Sequence, residues 1–114
     1  MPLFDDDGWK DYLRSFPDEP EERYSADARL YLDEFLEQIG MHPKDTTCLL
    51  MMYLDNDPAE RVAGVLRCTT TEAKGRYKRA IEDAQRRALT LINLEYVKDQ
   101  PFVVRMFLRH LFMW

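Results

Sequence analysis

The chain has 114 residues, of which 46% are hydrophobic and 32% are charged, and its formal net charge is -5. This length allows one small domain with tails, and the apolar fraction excludes a chain that is disordered throughout. The acidic total argues against tight non-specific DNA binding, although an acidic chain can still carry a local cationic patch.

The first 24 residues form an acidic segment. Eight Asp and Glu side chains against three Lys and Arg give it a net charge of -5, so residues 25–114 sum to zero. Its prolines and charges predict a flexible tail over residues 1–24, followed by a helical domain over residues 25–98. The alternative is that the aromatic stretch from Trp9 to Phe16 docks on a partner or on the basic face of the domain.

Two helices are predicted at the start of the domain. Residues 26–39 place apolar side chains at i, i+3 and i+4 positions, and Gly40 ends this helix. The next helix begins near Pro43, which suits a first helical turn, and ends at Leu54. Because its body is apolar nearly all round, we expect it to lie at the centre of the fold.

A third, shorter helix follows an Asp-Pro-Ala-Glu sequence. Asp57 and Glu60 predict a capping box, with Pro58 at the first helical position. The helix then ends near Arg67. Small Ala63 allows it to pack closely against its neighbour.

A longer fourth helix comes after the three threonines at positions 69–71. One of these threonines can cap the helix, which we expect to run from about Glu72 towards Tyr96. Its apolar line falls on one face at about 100° per residue and comprises Ala73, Tyr77, Ala80, Ile81, Ala84, Ala88 and Leu91. The four helices together predict a single core that contains Leu49, Leu50, Tyr53, Val62, Val65, Leu66, Tyr77, Ile81 and Ala84.

The C-terminal segment, residues 99–114, follows a helix break at Pro101. From Phe102 to Trp114 its residues are apolar except for two arginines and His110. A patch of this kind either folds back onto the domain or contacts another protein. We predict a protein-binding element, because aromatic and Met side chains are enriched at interface cores. The candidate contact residues are Phe102, Met106, Phe107, Leu111, Phe112 and Trp114.

The third and fourth helices have the layout of a helix-turn-helix, in which a short turn joins two helices and the second is basic. Residues 61–87 hold eight basic and three acidic side chains. The second helix of such a motif enters the major groove, where its side chains reach base edges and its cations neutralise phosphates. The candidate DNA-contacting residues are Thr70, Thr71, Lys74, Gly75, Arg76, Lys78 and Arg79. Glu72 lies near the start of this helix, where we expect its carboxylate to interact favourably with the helix dipole rather than to contact a cytosine.

Short motifs between residues 41 and 80 carry a family resemblance. They are Pro43-Lys44-Asp45, the run from Leu49 to Asp55, Glu60, Val62-Ala63, Val65-Leu66, Cys68, and then Lys74, Arg76, Arg79 and Ala80. In this order and without a gap they resemble region four of bacterial sigma factors, particularly the extracytoplasmic-function type. The chain departs from that pattern at Arg67, where the family has Gly, and at Ala73-Lys74-Gly75, where it has Val-Lys-Ser.

The resemblance implies that the basic helix recognises a -35-type promoter element and that the domain docks on the flap of RNA polymerase. The chain has no room for the sigma region that melts the promoter, and a standalone domain of this kind resembles phage-encoded transcription regulators. We therefore expect a cytoplasmic transcription regulator, in a bacterial or phage-infected cell, with RNA polymerase and double-stranded DNA as its partners.

Two other functions stay open. The first is a helix-turn-helix repressor or packaging-type adaptor that forms homo-oligomers through its C-terminal segment. The second is an interaction module that binds polymerase and does not touch DNA. The acidic N-terminus and Gly75 favour this second function over a strong DNA binder, because Gly inside a helix costs about 1 kcal/mol relative to Ala.

Patterns typical of catalysis, metal binding and membrane insertion are not seen in the sequence. Cys48 and Cys68 lie in apolar surroundings and share no ligand spacing with His42 or His110, so we expect neither a disulfide framework nor a zinc site. Without a catalytic triad, paired catalytic carboxylates or a Gly-rich phosphate loop, we expect no enzymatic activity and no cofactor. The chain also has no secretory signal and no apolar run of about 18 residues, so we expect no membrane association.

Overall fold

The computed structural model describes residues 8–15 and 26–112. In this part of the chain the secondary structure is helical and contains no strand, which confirms the predicted all-α class. The helices are α1 (Gly8–Ser15), α2 (Ala26–Gln38), α3 (Pro43–Leu49), α4 (Ala59–Leu66), α5 (Thr70–Leu89), α6 (Leu94–Lys98) and α7 (Phe102–Phe112), and α3 continues as a π-helix over Leu50–Leu54. None of these helices has the length and hydropathy needed to cross a membrane.

Helix α7 is the central helix of the larger of two hydrophobic cores. Its residues Phe107, Leu108 and Leu111 have no exposed surface. The Phe107 ring makes edge-to-face contacts with Phe35 of α2 and with Tyr53, at centroid distances of 6.3 and 5.1 Å. Such geometry adds a specific attraction to the burial of apolar area. Helices α1, α2 and α5 pack directly against this strongly apolar helix.

This position of α7 contradicts the prediction that the C-terminal segment presents an apolar face to a partner. Among the predicted contact residues, the ones buried in the larger core are Phe102, Phe107 and Leu111. Two others are partly buried and pack against this core, namely Met106 and Phe112. The sixth, Trp114, lies outside the described residues. The apolar surface of α7 is buried because other helices of the same chain pack around it.

One of those elements is α1, which occupies residues 8–15 of the predicted flexible tail. Trp9 and Leu13 are four residues apart, so they share one face of the helix, and both are buried. The Trp9 ring meets Phe112 edge-on at a centroid distance of 5.0 Å. Burial of these two large side chains outweighs the acidic composition of the segment. The rest of the predicted tail, residues 1–7 and 16–24, lies outside the described residues.

Two arginines of α7 hold α1 in place. Nη1 of Arg105 donates a hydrogen bond to the Tyr12 hydroxyl at 2.7 Å, and Nε of Arg109 donates to the Leu13 carbonyl at 2.8 Å. The second bond satisfies a carbonyl in the last turn of α1, where no helical partner is available. The aromatic stretch that was expected to dock on a partner or on the basic face thus packs, over residues 8–15, against α7.

The junction between α2 and α3 follows the sequence closely. Gly40 has φ +81°, the left-handed conformation that ends a helix most readily at Gly. A Cβ at this position would lie 3.1 Å from Nη1 of Arg87. That guanidinium donates to the Ile39 carbonyl at 3.4 Å, so α5 also closes the end of α2. His42 Nδ1 then accepts from the Lys44 N–H at 3.1 Å and caps α3.

The predicted long fourth helix is two helices in the structure. Helix α5 ends at Leu89 rather than continuing towards Tyr96. A separate helix, α6, begins after Asn93, whose side-chain oxygen accepts from the Tyr96 N–H at 2.8 Å. Leu91 falls in the connection between them and is 43% exposed, so the prediction that it continues the buried line is wrong. The local cap at Asn93 competes with the helical pattern that spans it.

A second, smaller core lies beneath α4 and the first half of α5, in place of the single core predicted. It contains Cys48, Met51, Val62, Ala63 and Ala73. The two alanines allow α4 and α5 to approach closely, as their small size predicted. The partly buried Tyr77 packs against both cores and joins them.

Two predictions about α4 are wrong. Its N-cap is Pro58, and no side chain caps it; Asp57 instead lies 3.9 Å from Arg61 in an ion pair. Val65 was placed in the core but is 55% exposed. At about 100° per residue it lies about 60° from Val62 but about 120° from Ala59 and about 160° from Ala63, the other buried residues of α4, so it falls at the edge of the buried face and is exposed.

Candidate nucleic-acid interface

The turn between α4 and α5 is made by residues 67–69, as the helix-turn-helix layout requires. Arg67 ends α4 in the left-handed conformation, with φ 56°, and the Cys68 N–H donates to the Ala63 carbonyl at 3.0 Å. A left-handed conformation costs a residue with a side chain about 1–2 kcal/mol. The backbone conformation at position 67 therefore favours Gly, the residue that sigma region four has at the corresponding position.

A capping box begins α5. The Thr69 hydroxyl accepts from the Glu72 N–H at 3.0 Å, and the Glu72 carboxylate accepts from the Thr69 N–H at 3.0 Å. The pKa of the Glu72 carboxyl is lowered below its usual value, chiefly by the hydrogen bond from the Thr69 backbone N–H and to a smaller extent by the hydrogen bond with the Thr69 side chain. The prediction that a threonine of the turn caps this helix is confirmed. Glu72 serves the helix N-terminus here, the use preferred for it over a base contact.

The predicted DNA-contacting residues lie along the first half of α5 with unequal exposure. The four exposed residues are Thr71, Lys74, Lys78 and Arg79. The three partly buried residues are Thr70, Gly75 and Arg76. At about 100° per residue, Thr71, Gly75, Lys78 and Arg79 lie on the outer side of α5, Lys74 and Arg76 lie on its two opposite flanks, and Thr70 lies towards the domain. We call the surface formed by Thr71, Lys74, Gly75, Lys78 and Arg79 the cationic face of α5.

Arg76, on the flank opposite Lys74, differs from the cations of this face because it has a partner inside the domain. Its Nη1 lies 2.7 Å from the Asp45 carboxylate of α3, and the two side chains are 31% and 21% exposed. A partly covered ion pair of this kind is more persistent than a fully exposed one. Arg76 therefore fixes α5 against α3, a role that the sequence did not assign, although Asp45 belongs to one of the motifs that carry the resemblance.

The cations of the face have no such partner. Within residues 8–15 and 26–112, Lys74, Lys78 and Arg79 form no ion pair with an acidic side chain. In the second half of α5, by contrast, Asp83 pairs with both Arg86 and Arg87. The available positive charge is therefore concentrated in the first half of the helix, next to the turn.

Gly75 lies within this face. A Cβ added there would lie 3.3 Å from Nη1 of Arg79, so the guanidinium of Arg79 extends back along the helix over Gly75. No sequence pattern predicts this contact, because it depends on the side-chain rotamer of an exposed arginine.

Three exposed leucines form a second surface feature, which the sequence did not predict. Leu89, Leu91 and Leu94 are 55%, 43% and 39% exposed at the end of α5 and the start of α6. Helical periodicity places Leu91 on the buried line, and it faces solvent because α5 ends at Leu89. The end of α5 and the start of α6 therefore expose apolar side chains to solvent.

The two cysteines take part in packing. The Cys48 sulfur lies 3.8 Å from the Met52 sulfur and 3.8 Å from the Ala73 carbonyl oxygen. Burial, and then the negative charge of Asp45, raise the pKa of the Cys48 thiol to about 11, so this group is protonated at neutral pH. The described part of the chain also contains no cluster of three or more His, Cys, Asp or Glu that could hold a metal ion.

Comparison of the chain with protein-family models, with curated proteins and with solved structures found no match. The functional argument therefore depends on the geometry and charge of α4, the turn and α5.

Proposed function

We propose that the protein is a transcription regulator that binds promoter DNA through α4 and α5 and acts together with RNA polymerase. One observation carries the DNA part of this proposal. Three cations, Lys74, Lys78 and Arg79, are exposed and without an acidic partner among the described residues, on a helix that follows a three-residue turn. Cations in this position meet phosphates when the helix lies in the major groove.

The charge distribution supports binding of moderate strength. Each cation that neutralises a phosphate releases counterions, which is the main sequence-independent contribution to DNA affinity. The net charge of -5 opposes this attraction at a distance, and the Arg76–Asp45 pair withdraws one cation from it. We therefore expect binding that is clear at low salt and weakens steeply as salt rises.

The polymerase part of the proposal is supported by the resemblance of residues 41–80 to sigma region four. Because α7 is buried, it is no longer a candidate surface for this contact. Leu89, Leu91 and Leu94 supply exposed apolar area at the far end of α5 from the turn. A partner could contact this end while the first half of the helix lies on DNA.

The test of the combined proposal is a pull-down with bacterial core RNA polymerase, together with a DNA-binding titration of the same preparation. A double variant, Leu89→Ser and Leu91→Ser, is expected to lose polymerase and to keep DNA binding. Leu30→Ser, which changes an exposed leucine of α2 outside both surfaces, serves as the matched control. If the wild type retains neither polymerase nor duplex DNA, the proposal is wrong.

A polymerase-binding module without DNA contact is the second candidate, and the exposed leucines favour it. In that case the pull-down succeeds and the duplex titration stays flat even at low salt. The repressor or adaptor hypothesis relied on oligomers formed through the C-terminal segment. It loses that support, since Phe102, Phe107 and Leu111 are buried within one chain.

A further inference from the structure

The outer face of α5 carries a notch at Gly75. The buried residues of α5 include Ala73, Ala84 and Ala88. At about 100° per residue, Gly75 lies almost opposite the centre of this buried face, so it points directly away from the domain. A helix that enters the major groove presents its outermost line to the base edges and its flanks to the phosphates. In the proposed DNA complex, Gly75 is therefore the point of α5 nearest the floor of the groove.

The guanidinium of Arg79 fills this notch. A Cβ atom added to residue 75 would lie 3.3 Å from Nη1 of Arg79, and this distance is shorter than most contacts that Cβ atoms make. Gly75 is only partly exposed although Lys74 and Lys78 beside it are exposed, as expected if a side chain lies across it. Arg79 has no acidic partner in the described part of the chain, so its donors are free to meet a ligand.

We infer that Arg79 reads a guanine in the major groove and that Gly75 is the residue that positions it. The inference rests on the proposed function and specifies how its site recognises DNA. A planar guanidinium donates two parallel hydrogen bonds to O6 and N7 of guanine, the commonest base-specific contact that proteins make. The lysines at 74 and 78 lie to one side of Gly75, towards a flank of α5, where phosphates are the nearer ligands. Gly75 stands in a helix interior, where Gly is a poor helix former. A Cβ there would require the guanidinium to shift by a few tenths of an ångström from its place over the notch.

The experiment begins with selection of binding sites by the wild-type protein from a pool of random-sequence duplexes. Affinities are then measured for the selected duplex, for duplexes in which each G·C pair is replaced by A·T, and for duplexes with 7-deazaguanine, which lacks the N7 acceptor. The wild type is expected to prefer guanine at one position by roughly 5-fold or more. Gly75→Ala and Arg79→Lys are both expected to lose that preference and to keep the binding that phosphates provide.

Gly64→Ala is the matched control. Gly64 is also inside a helix, α4, but a Cβ there would meet nothing within 4 Å. Both Gly→Ala changes are expected to raise Tm by about 4 °C or more through helix propensity. Loss of the guanine preference in Gly75→Ala alone is therefore an effect on Arg79 and not on folding.

Three results would overturn the inference. If Gly75→Ala discriminates as the wild type does, the notch does not position Arg79. If the wild type binds duplexes with a steep salt dependence but selects no guanine, the proposed function stands and the inference is wrong. If the wild type binds no duplex at low salt, both are refuted.

Discussion

The two hydrophobic cores of this protein are built from residues of different size and serve different ends. The larger core surrounds α7 and contains aromatic pairs such as Phe107 with Phe35 and Tyr53. The smaller core beneath the helix-turn-helix has no aromatic side chain among its buried residues and contains two alanines. Stability scales with buried apolar area, so the larger core should hold the fold together. The smaller core mainly sets how closely α4 and α5 approach.

This contrast has a consequence for local opening. Regions with few buried apolar contacts open with less free energy than the whole protein does. The smaller core and the turn should therefore open before the bundle around α7 unfolds. In the proposed DNA complex, α4 and α5 would therefore be able to adjust their packing without loss of the larger core.

The largest expected effect is on the larger core. Phe107→Ala removes a ring with no exposed surface and should lower the free energy of unfolding by about 3–5 kcal/mol. That is a large fraction of the about 5–15 kcal/mol by which a small domain is stable, so the urea midpoint should fall sharply. Met106→Ala, at the partly buried neighbouring position, is the control and should cost much less. Equal losses for the two variants would contradict the central position of α7.

A smaller effect is expected in the smaller core. Val62→Ala removes two buried methyl groups and should cost about 2 kcal/mol. Because the change loosens α4 against α5, it should also make the buried Cys48 thiol react faster with a thiol reagent while far-UV circular dichroism stays native. If Cys48 becomes reactive only when the whole protein unfolds, the two cores form one cooperative unit.

The pKa of Cys48 adds a pH dependence to this core. In the unfolded chain the thiol ionises near its ordinary pKa of 9.0, whereas in the folded protein the pKa is about 11. Above pH 9 the unfolded state therefore binds fewer protons, and stability should fall as pH rises towards 11. In Cys48→Ala this part of the decline should be absent.

The smallest expected effect concerns the backbone of the turn. Arg67→Gly relieves a left-handed conformation at φ 56° and should stabilise the protein by up to about 1 kcal/mol. Asn56 has nearly the same φ, 57°, but Asn tolerates this conformation, so Asn56→Gly should change stability less. Thermal denaturation of the two variants measures the difference. A destabilised Arg67→Gly would show that the arginine side chain makes a contribution that outweighs its strain.

The end of α2 and the starts of α3 and α5 were predictable from the sequence because local signals at these points agree with one another. Gly40 ends α2, Pro43 starts α3 and Thr69 caps α5, each for a reason confined to a few neighbouring residues. The exposed cations Lys74 and Lys78 followed from helical geometry alone.

The errors arose where the outcome depends on distant parts of the chain. The apolar pattern of α7 indicates an interface only as long as the acidic pattern of α1, which covers it, indicates a tail. The Trp9–Leu13 spacing was a signal for α1, but the surrounding acidic residues and prolines outweighed it. The ion pair between Arg76 and Asp45 joins residues 31 positions apart, and no local pattern predicts such a contact.

The central claim is that the cationic face of α5 lies on DNA. The most direct test is the affinity for a 30-base-pair duplex, measured by fluorescence anisotropy over a series of salt concentrations. The comparison is between the wild type, the double variant Lys74→Ala and Lys78→Ala, and the control Lys98→Ala. We predict that the slope of log affinity against log salt becomes shallower by about 0.9 for each lysine that contacts a phosphate, while Lys98→Ala matches the wild type. An unchanged slope in the double variant would contradict the claim.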